Sequence, residues 1–291
     1  MKKIGIIVLA IIICIIAAVV IEQADEAPSP NKKVQTDGDI RVHIIDVGQG
    51  DAIWIDTGKE NIVIDSGNKG QGKTVINYLE QHDVKALDAV ISTHPDADHV
   101  GGLADVINHF PVKTVYAPRV THTTQAYKEF LQAVKKQKLS IKVAKQGVDI
   151  PSVAEGVTMT FIGPTKDYSK ADLNDWSAVL ELTHGQKKFL LTGDAETPAE
   201  KDMLAAGVLE PIDVLKVSHH GASEASNTDY LAALQPEYAV ISVGEGNRYN
   251  HPTADALKRL KATGANILRT DQYGSIVFTS DGQTISVEEE R

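Results

Sequence analysis

Uncharged, mostly aliphatic positions run without a break over residues 4–21, IGIIVLAIIICIIAAVVI, and nothing like this run occurs again in the chain. At about 1.5 Å per residue, about 18 residues reach about 27 Å, close to the hydrocarbon thickness of a bilayer. Lys2 and Lys3 precede the run and Glu22 ends it. The lysines predict a cytoplasmic N-terminal end, with everything after Glu22 outside the membrane. A cleaved signal peptide is the rival reading, because it shares the basic start and the apolar stretch; no A-x-A cleavage site follows, so a single-pass anchor over residues 1–21 is expected. Residues 22–39, EQADEAPSPNKKVQTDGD, carry two prolines, a glycine and many charges with almost nothing to bury. They read as a solvated tether.

From residue 40 the pattern becomes that of a folded domain reaching residue 291. Three short β-like runs, RVHIIDV, AIWIDT and NIVIDSG, are separated by glycine-containing turns and predict an antiparallel meander. Helical and strand patterns then alternate: helix 73–81 with strand 89–92, helix 100–109 with strand 114–116, helix 125–136 with strand 141–144. A second β-rich stretch covers 157–162, 178–183 and 188–192. Helix–strand pairs ending at 240–242 and 266–269 follow, and then two last strands. Two halves that each mix meander and helix predict an α/β domain of two sheets packed face to face with helices outside.

Composition narrows the function classes. With 42% hydrophobic and 23% charged residues the chain is neither disordered nor a disulfide scaffold, and its one cysteine excludes an internal disulfide or a multi-cysteine zinc site. The formal net charge of −10 excludes a broad basic face for coating nucleic acid.

Candidate chemistry sits where apolar strands end. The run HPDADH, from His94 to His99, follows DAVIST and precedes Val100-Gly101-Gly102. Its His94, Asp96, Asp98 and His99 place four potential metal ligands on one strand-to-helix loop, where they are free to converge. A helix cap would need one acid and would leave both histidines unexplained. KKFLLTGDAE delivers Asp194 at a strand end, and DVLKVSHHGAS delivers His219 and His220. No G-x-S-x-G elbow or P-loop is present; GNKGQGK, residues 67–73, lacks the P-loop spacing and reads as a surface loop.

HPDADH, LLTGD and SHHG, together with DVGQGD at 46–51 and IDSG at 64–67, resemble the metallo-β-lactamase superfamily. More narrowly they resemble the extracytoplasmic hydrolase domain of ComEC-type competence proteins, over residues 42–278. The resemblance implies a four-layer αβ/βα sandwich with a metal site along one edge of both sheets. Carried over, the superfamily's H-x-H-x-D-H falls on His94, Asp96, Asp98 and His99, with Asp96 in place of its second histidine. His94 and Asp96 match the first metal position, Asp98 and His99 the second, and Asp194 the aspartate that bridges them. The further histidine usual before that aspartate is missing, because residues 174–177 read NDWS. His184 lies nearby but is expected to face solvent. His219 is expected to complete the second site, with His220 and His251 as proton donor or phosphate contact; His251 alternatively caps the helix beginning near Thr253. Carboxylates in place of imidazole favour manganese or magnesium over zinc, with one or two ions bound.

The expected function is therefore a membrane-tethered, extracytoplasmic metal-dependent hydrolase using metal-bound hydroxide, with Asp98, His220 and His251 as its catalytic residues. The ComEC-type resemblance implies a phosphodiester substrate, DNA among them. The alternatives are a lactam, lactone or thioester hydrolase of the same superfamily, and a non-catalytic metal-stabilised binding module. No protein partner is predictable from these residues.

Overall fold

A computed structural model describes residues 38–291. The apolar segment and the tether up to residue 37 lie outside the described residues, among which no helix is long and apolar enough to cross a membrane.

The expected meander forms first: β1 (Ile40–Ile44), β2 (Ile53–Asp56) and β3 (Asn61–Ile64) pair antiparallel. After α1 (Gly72–Gln81) the chain switches to parallel addition: β4 (Leu87–Ile91) on β3, β5 (Val112–Ala117) on β4, and β6 (Ile141–Val143) on β5. The connections carry α2 (Ala97–Val100), α3 (Leu103–His109) and α4 (Gln125–Lys136). The second half repeats the plan. β7 (Val148–Ile150), β8 (Val157–Phe161), β9 (Leu180–His184) and β10 (Lys187–Leu191) pair antiparallel. β11 (Val214–Lys216), β12 (Tyr238–Ile241) and β13 (Asn266–Arg269) then add in parallel, through α5 (Thr197–Ala206), α6 (Thr228–Leu234) and α7 (Ala254–Thr263). After the short α8 (Thr270–Tyr273), β14 (Ile276–Ser280) crosses back to pair with β1, and β15 (Ile285–Glu289) closes that edge. The result is an eight-stranded and a seven-stranded sheet.

Strand periodicity explains the layering, because successive side chains point to opposite faces. In β3, Ile62 and Ile64 enter the core between the sheets while Val63 packs outward. In β10, Phe189 and Leu191 point inward and Leu190 outward. The outward residues of the first sheet meet Val75 and Leu79 of α1, Val106 of α3 and Phe130 of α4; those of the second meet Met203 of α5, Leu231 of α6 and Leu260 of α7. Both faces of each sheet are thus covered, which is the four-layer αβ/βα arrangement. Helix starts are fixed locally: Thr124, Asn227 and Thr253 cap α4, α6 and α7 with their side chains.

The same alternation corrects one expectation. His184 does not face solvent; it ends β9 buried, with Nδ1 3.0 Å from Ser280 Oγ. The crossing strand β14 covers it, and nothing local in the sequence announces that pairing.

Candidate metal centre

Residues following β1, β3, β4, β10, β11 and β12 collect at one edge of the two sheets, the carboxyl ends of the parallel strands where α/β folds place ligands. Asp98 and His99, on the short α2 that follows β4, meet Asp194 after β10 and His220 after β11. One ligand atom from each of these four lies within 4.8 Å of the others. His99 Nε2 is 3.1 Å and His220 Nε2 3.4 Å from Asp194 Oδ2, and His220 Nε2 is 3.6 Å from Asp98 Oδ2.

Each imidazole is tied down through its other nitrogen. His99 Nδ1 donates to Asp65 Oδ2 at 2.8 Å, and His220 Nδ1 donates to the Ser242 carbonyl at 2.8 Å. The Thr93 hydroxyl donates to Asp65 Oδ2 at 2.5 Å, which leaves its oxygen to accept from His94 Nδ1 at 3.1 Å. Asp65 thereby orients two histidines, one directly and one through Thr93. The backbone supports this at a cost. Asp65, His219 and His220 have φ of 56°, 47° and 53°, the left-handed region that non-glycine residues seldom occupy. Gly50, at φ 133°, lies so close to the Asp98 carbonyl that a Cβ there would sit 2.2 Å from the oxygen.

The buried atoms that converge are also the unsatisfied ones. His94 Nε2, His99 Nε2, His220 Nε2 and Asp194 Oδ1 have no hydrogen-bond partner, which is costly in an interior unless something else binds them. Imidazole nitrogens with a fixed tautomer beside carboxylates are the donor set of a divalent cation. The residues present fit such an ion.

Charge follows the same geometry. Burial lowers the His94 imidazole, with His99 adding to the effect, to about 3, so this ring is neutral with a free lone pair on Nε2. Burial also disfavours a charged His220, but Asp194, Asp98 and Asp51 outweigh it and raise the imidazole to about 9. His99 is raised in the same way by Asp194 and Asp65. Asp194 resists its own burial and is held well below the carboxylate range by His220 and His99.

The remaining expected residues lie around this group. Asp96 is half-exposed, its Oδ2 3.7 Å from His94 Nε2. His220, expected as a proton donor or phosphate contact, enters the four-residue group, whereas His219, expected in the second site, turns to Glu196, with Nδ1 3.0 Å from Oε1, and presents Nε2 3.7 Å from Asp194 Oδ2. The left-handed turn at both histidines and the Ser242 carbonyl pull the second ring inward. Asn174, in the stretch 174–177 that reads NDWS, donates to Glu196 Oε1 at 2.7 Å and so helps hold His219. His251 sits at the rim, its ring 5.5 Å from that of His219. It does not cap α7, whose cap is Thr253. Asp51, Asp65 and Lys216, whose Nζ lies 2.5 Å from Asp51 Oδ2, are the participants that the motif reading left out of the site; the first two lie in the quoted DVGQGD and IDSG runs.

Comparison with known proteins decides the family. The family model for the metallo-beta-lactamase superfamily matches residues 45–245. This chain belongs to the metallo-β-lactamase superfamily. Within the superfamily it is 30% identical over 256 residues to "ComE operon protein 3" of Bacillus subtilis (strain 168), a match covering 81% of this chain and 32% of the relative. It is 30% identical over 240 residues to "Competence protein ComA" of Neisseria gonorrhoeae, again over 81% of this chain and 32% of the relative. The ComEC-type resemblance read from the motifs is therefore borne out, and the chain spans about a third of the length of these relatives. Among solved structures it is similar to the metallo-beta-lactamase fold protein YhfI of Bacillus subtilis, at TM-score 0.56 and 13% identity over 84% of this chain and 100% of that one. It is also similar to the metallo hydrolase Igni18 of Ignicoccus hospitalis, at TM-score 0.55 and 17% identity over 82% and 98%. These likenesses carry the fold. The superfamily fold with a candidate Asp/His metal site makes the chain a metallo-hydrolase by family.

Proposed function

We propose that this chain is a metal-dependent phosphodiesterase held on the outer face of the membrane by residues 4–21. The observation that carries the hydrolytic reading is the convergence of unsatisfied Nε2 and carboxylate atoms from three strand ends on one point. Asp98, His99, Asp194 and His220 would hold one divalent ion. His94, Asp96 and His219 would hold a second that shares Asp194, with His219 taking the role of the missing histidine. A divalent ion in this setting activates water and stabilises developing negative charge.

The protein's own residues do the rest. Asp65 and the Ser242 carbonyl take the Nδ1 protons of His99 and His220, the tautomer in which each Nε2 would be free to hold the ion. A cleft of about 510 Å³, lined by Asp96, Lys166, Tyr168, Asn174 and Glu196, opens on the His94 side and gives a substrate a place to lie. His251, lowered from its ordinary value by burial and by His219 and His220, is neutral at the rim and able to contact a substrate oxygen. The phosphodiester class rests on the similarity to competence proteins and on the carboxylate at Asp96, which suits manganese or magnesium better than zinc. The membrane anchor rests on the apolar run and its two flanking lysines.

The purified protein is assayed with manganese, magnesium and zinc against bis-p-nitrophenyl phosphate, linear DNA and a chromogenic cephalosporin. Manganese-dependent phosphodiester cleavage is expected, abolished by chelation. Lactam turnover without phosphodiester turnover would overturn the substrate class, and a folded protein that binds no divalent metal would overturn the hydrolase itself.

A further inference from the structure

Asn247-Arg248-Tyr249-Asn250-His251 lies between β12 and α7, and only its histidine enters the site described above. Asn247 braces this loop from within. Its amide donates to the carbonyls of Gly244 at 3.0 Å and His251 at 2.6 Å, and its Oδ1 accepts from the backbone N–H groups of Tyr249 at 3.2 Å and His251 at 3.0 Å. The side chains it carries are therefore presented in a set order. The His251 ring stands edge-on to that of His219, 5.5 Å between centroids and 81° between planes, and the Tyr249 ring stacks on His251 at 5.7 Å and 27°. Because His219 Nε2 lies 3.7 Å from Asp194 Oδ2, a line of rings leads from the candidate metal centre out to Tyr249.

Tyr249 is the one aromatic among the large apolar side chains that the described residues leave exposed, and it belongs to none of the apolar clusters. Scattered exposed apolar residues need no account. This one is backed by an imidazole and accompanied by a cation at the rim of a polar site. The exposed Arg248 guanidinium lies over the Tyr249 ring, with Cζ 4.9 Å from the centroid, and donates to the phenol oxygen at 2.7 Å. Among the described residues no carboxylate stands within ion-pair distance of it. A phenol and a π-face are weaker partners for a guanidinium than a phosphate oxygen. With a formal net charge of −10 the chain offers no broad basic face, so a polyanion must be held by a few local contacts of this kind.

We propose that Arg248 and Tyr249 form a nucleotide platform at the rim of the metal centre: the guanidinium leaves the ring for a phosphate oxygen, and the ring stacks on an unpaired base of the strand whose phosphodiester lies at the metal group. This deepens the phosphodiesterase reading and rests on it. The substrate is then a nucleic-acid strand with unpaired bases. Stacking is tolerant of sequence because every base has a π-face, so the platform selects unpaired strands without selecting a sequence.

Fluorescence anisotropy on the full-length protein with manganese tests this, using a labelled oligothymidylate, an abasic strand of the same length and the corresponding duplex, all with phosphorothioate linkages that resist cleavage. Wild type is expected to bind the oligothymidylate about 10-fold more tightly than the other two, the size of one base–aromatic stack. Tyr249→Ala is expected to remove that preference without changing the affinity for the abasic strand, and Tyr249→Phe to keep it. Arg248→Gln is expected to weaken binding of the oligothymidylate and the abasic strand alike, because the phosphate is common to both. A wild type that holds the abasic strand as tightly as the oligothymidylate, or a Tyr249→Ala protein that keeps the preference, overturns the platform, and wild-type affinities in Arg248→Gln overturn the part given to the guanidinium. Cleavage of the same strands with ordinary linkages reads the hydrolase separately. Base-dependent binding without any cleavage would overturn the phosphodiesterase reading, whereas cleavage with no base preference in binding overturns the platform alone.

Discussion

The two halves of the metal edge are built differently. Around Asp194 and His220, four donors from three strand ends lie close together, all but Asp98 fully buried, and each histidine is fixed through its second nitrogen by a group that is itself buried. On the other side, His94 is equally fixed, but its nearest carboxylate, Asp96, is half-exposed on the wall of an open cleft, and Asn174 and Glu196 stand beside it on that wall. The first half is assembled before any ion arrives, whereas the second is completed at the surface by side chains that face solvent. Affinity follows preorganisation, because an ion need not pay to order its ligands. The Asp194–His220 half is therefore the tight position and the His94–Asp96 half the exchangeable one, next to the substrate cleft.

The sharpest way to break this contrast is by deletion. Asp194→Ala removes the carboxylate facing both halves and is expected to reduce metal binding and hydrolysis to background. His220→Ala should abolish tight binding, while His94→Ala keeps one tight ion and lowers hydrolysis; isothermal titration with manganese reads both. Equal losses of affinity in the two histidine variants would erase the distinction.

A smaller effect is expected from the group behind the ligands. Asp65→Asn leaves every ligand in place but removes the carboxylate that orients His99 and, through Thr93, His94. Loss of such a partner weakens metal affinity by about 10- to 100-fold. An Asp65→Asn protein with wild-type affinity would show that the tautomers are set elsewhere.

The smallest effect is in pH dependence. His220 is raised from 6.5 to about 9 in the metal-free fold, chiefly by Asp194 acting against burial. Its contribution to stability is fully present below the unfolded value and is lost as pH rises through the folded one, so metal-free Tm should fall between pH 6.5 and 9. Manganese affinity should rise over the same window, because the ligating imidazole must be neutral. His220→Gln should flatten this part of the Tm profile. A wild-type profile no steeper than that of the variant would contradict the assignment.

Much of this was legible in the residues. The meander, the switch to alternating helix and strand, and the two-sheet architecture followed from period-2 and period-3.6 patterning. HPDADH, Asp194 and the histidine pair were visible as polar clusters that interrupt apolar strands. What stayed hidden depends on tertiary contacts. The return of β14 to β1, which buries His184, joins residues far apart in the sequence. The order of His219 and His220 depends on a left-handed turn and on the carbonyl of Ser242, just past β12. Lys216 left a weaker signal, a lysine on the inward face of a strand, which becomes readable only once the direction of Val214 is known.

The central claim, that Asp98, His99, Asp194 and His220 hold a divalent ion, is tested most directly by anomalous diffraction at the manganese edge from crystals grown with manganese. The account predicts a full-occupancy peak among these four side chains, with any second peak beside His94 and Asp96 weaker. A stronger peak beside His94, or no peak at the four residues in a folded protein, would contradict it.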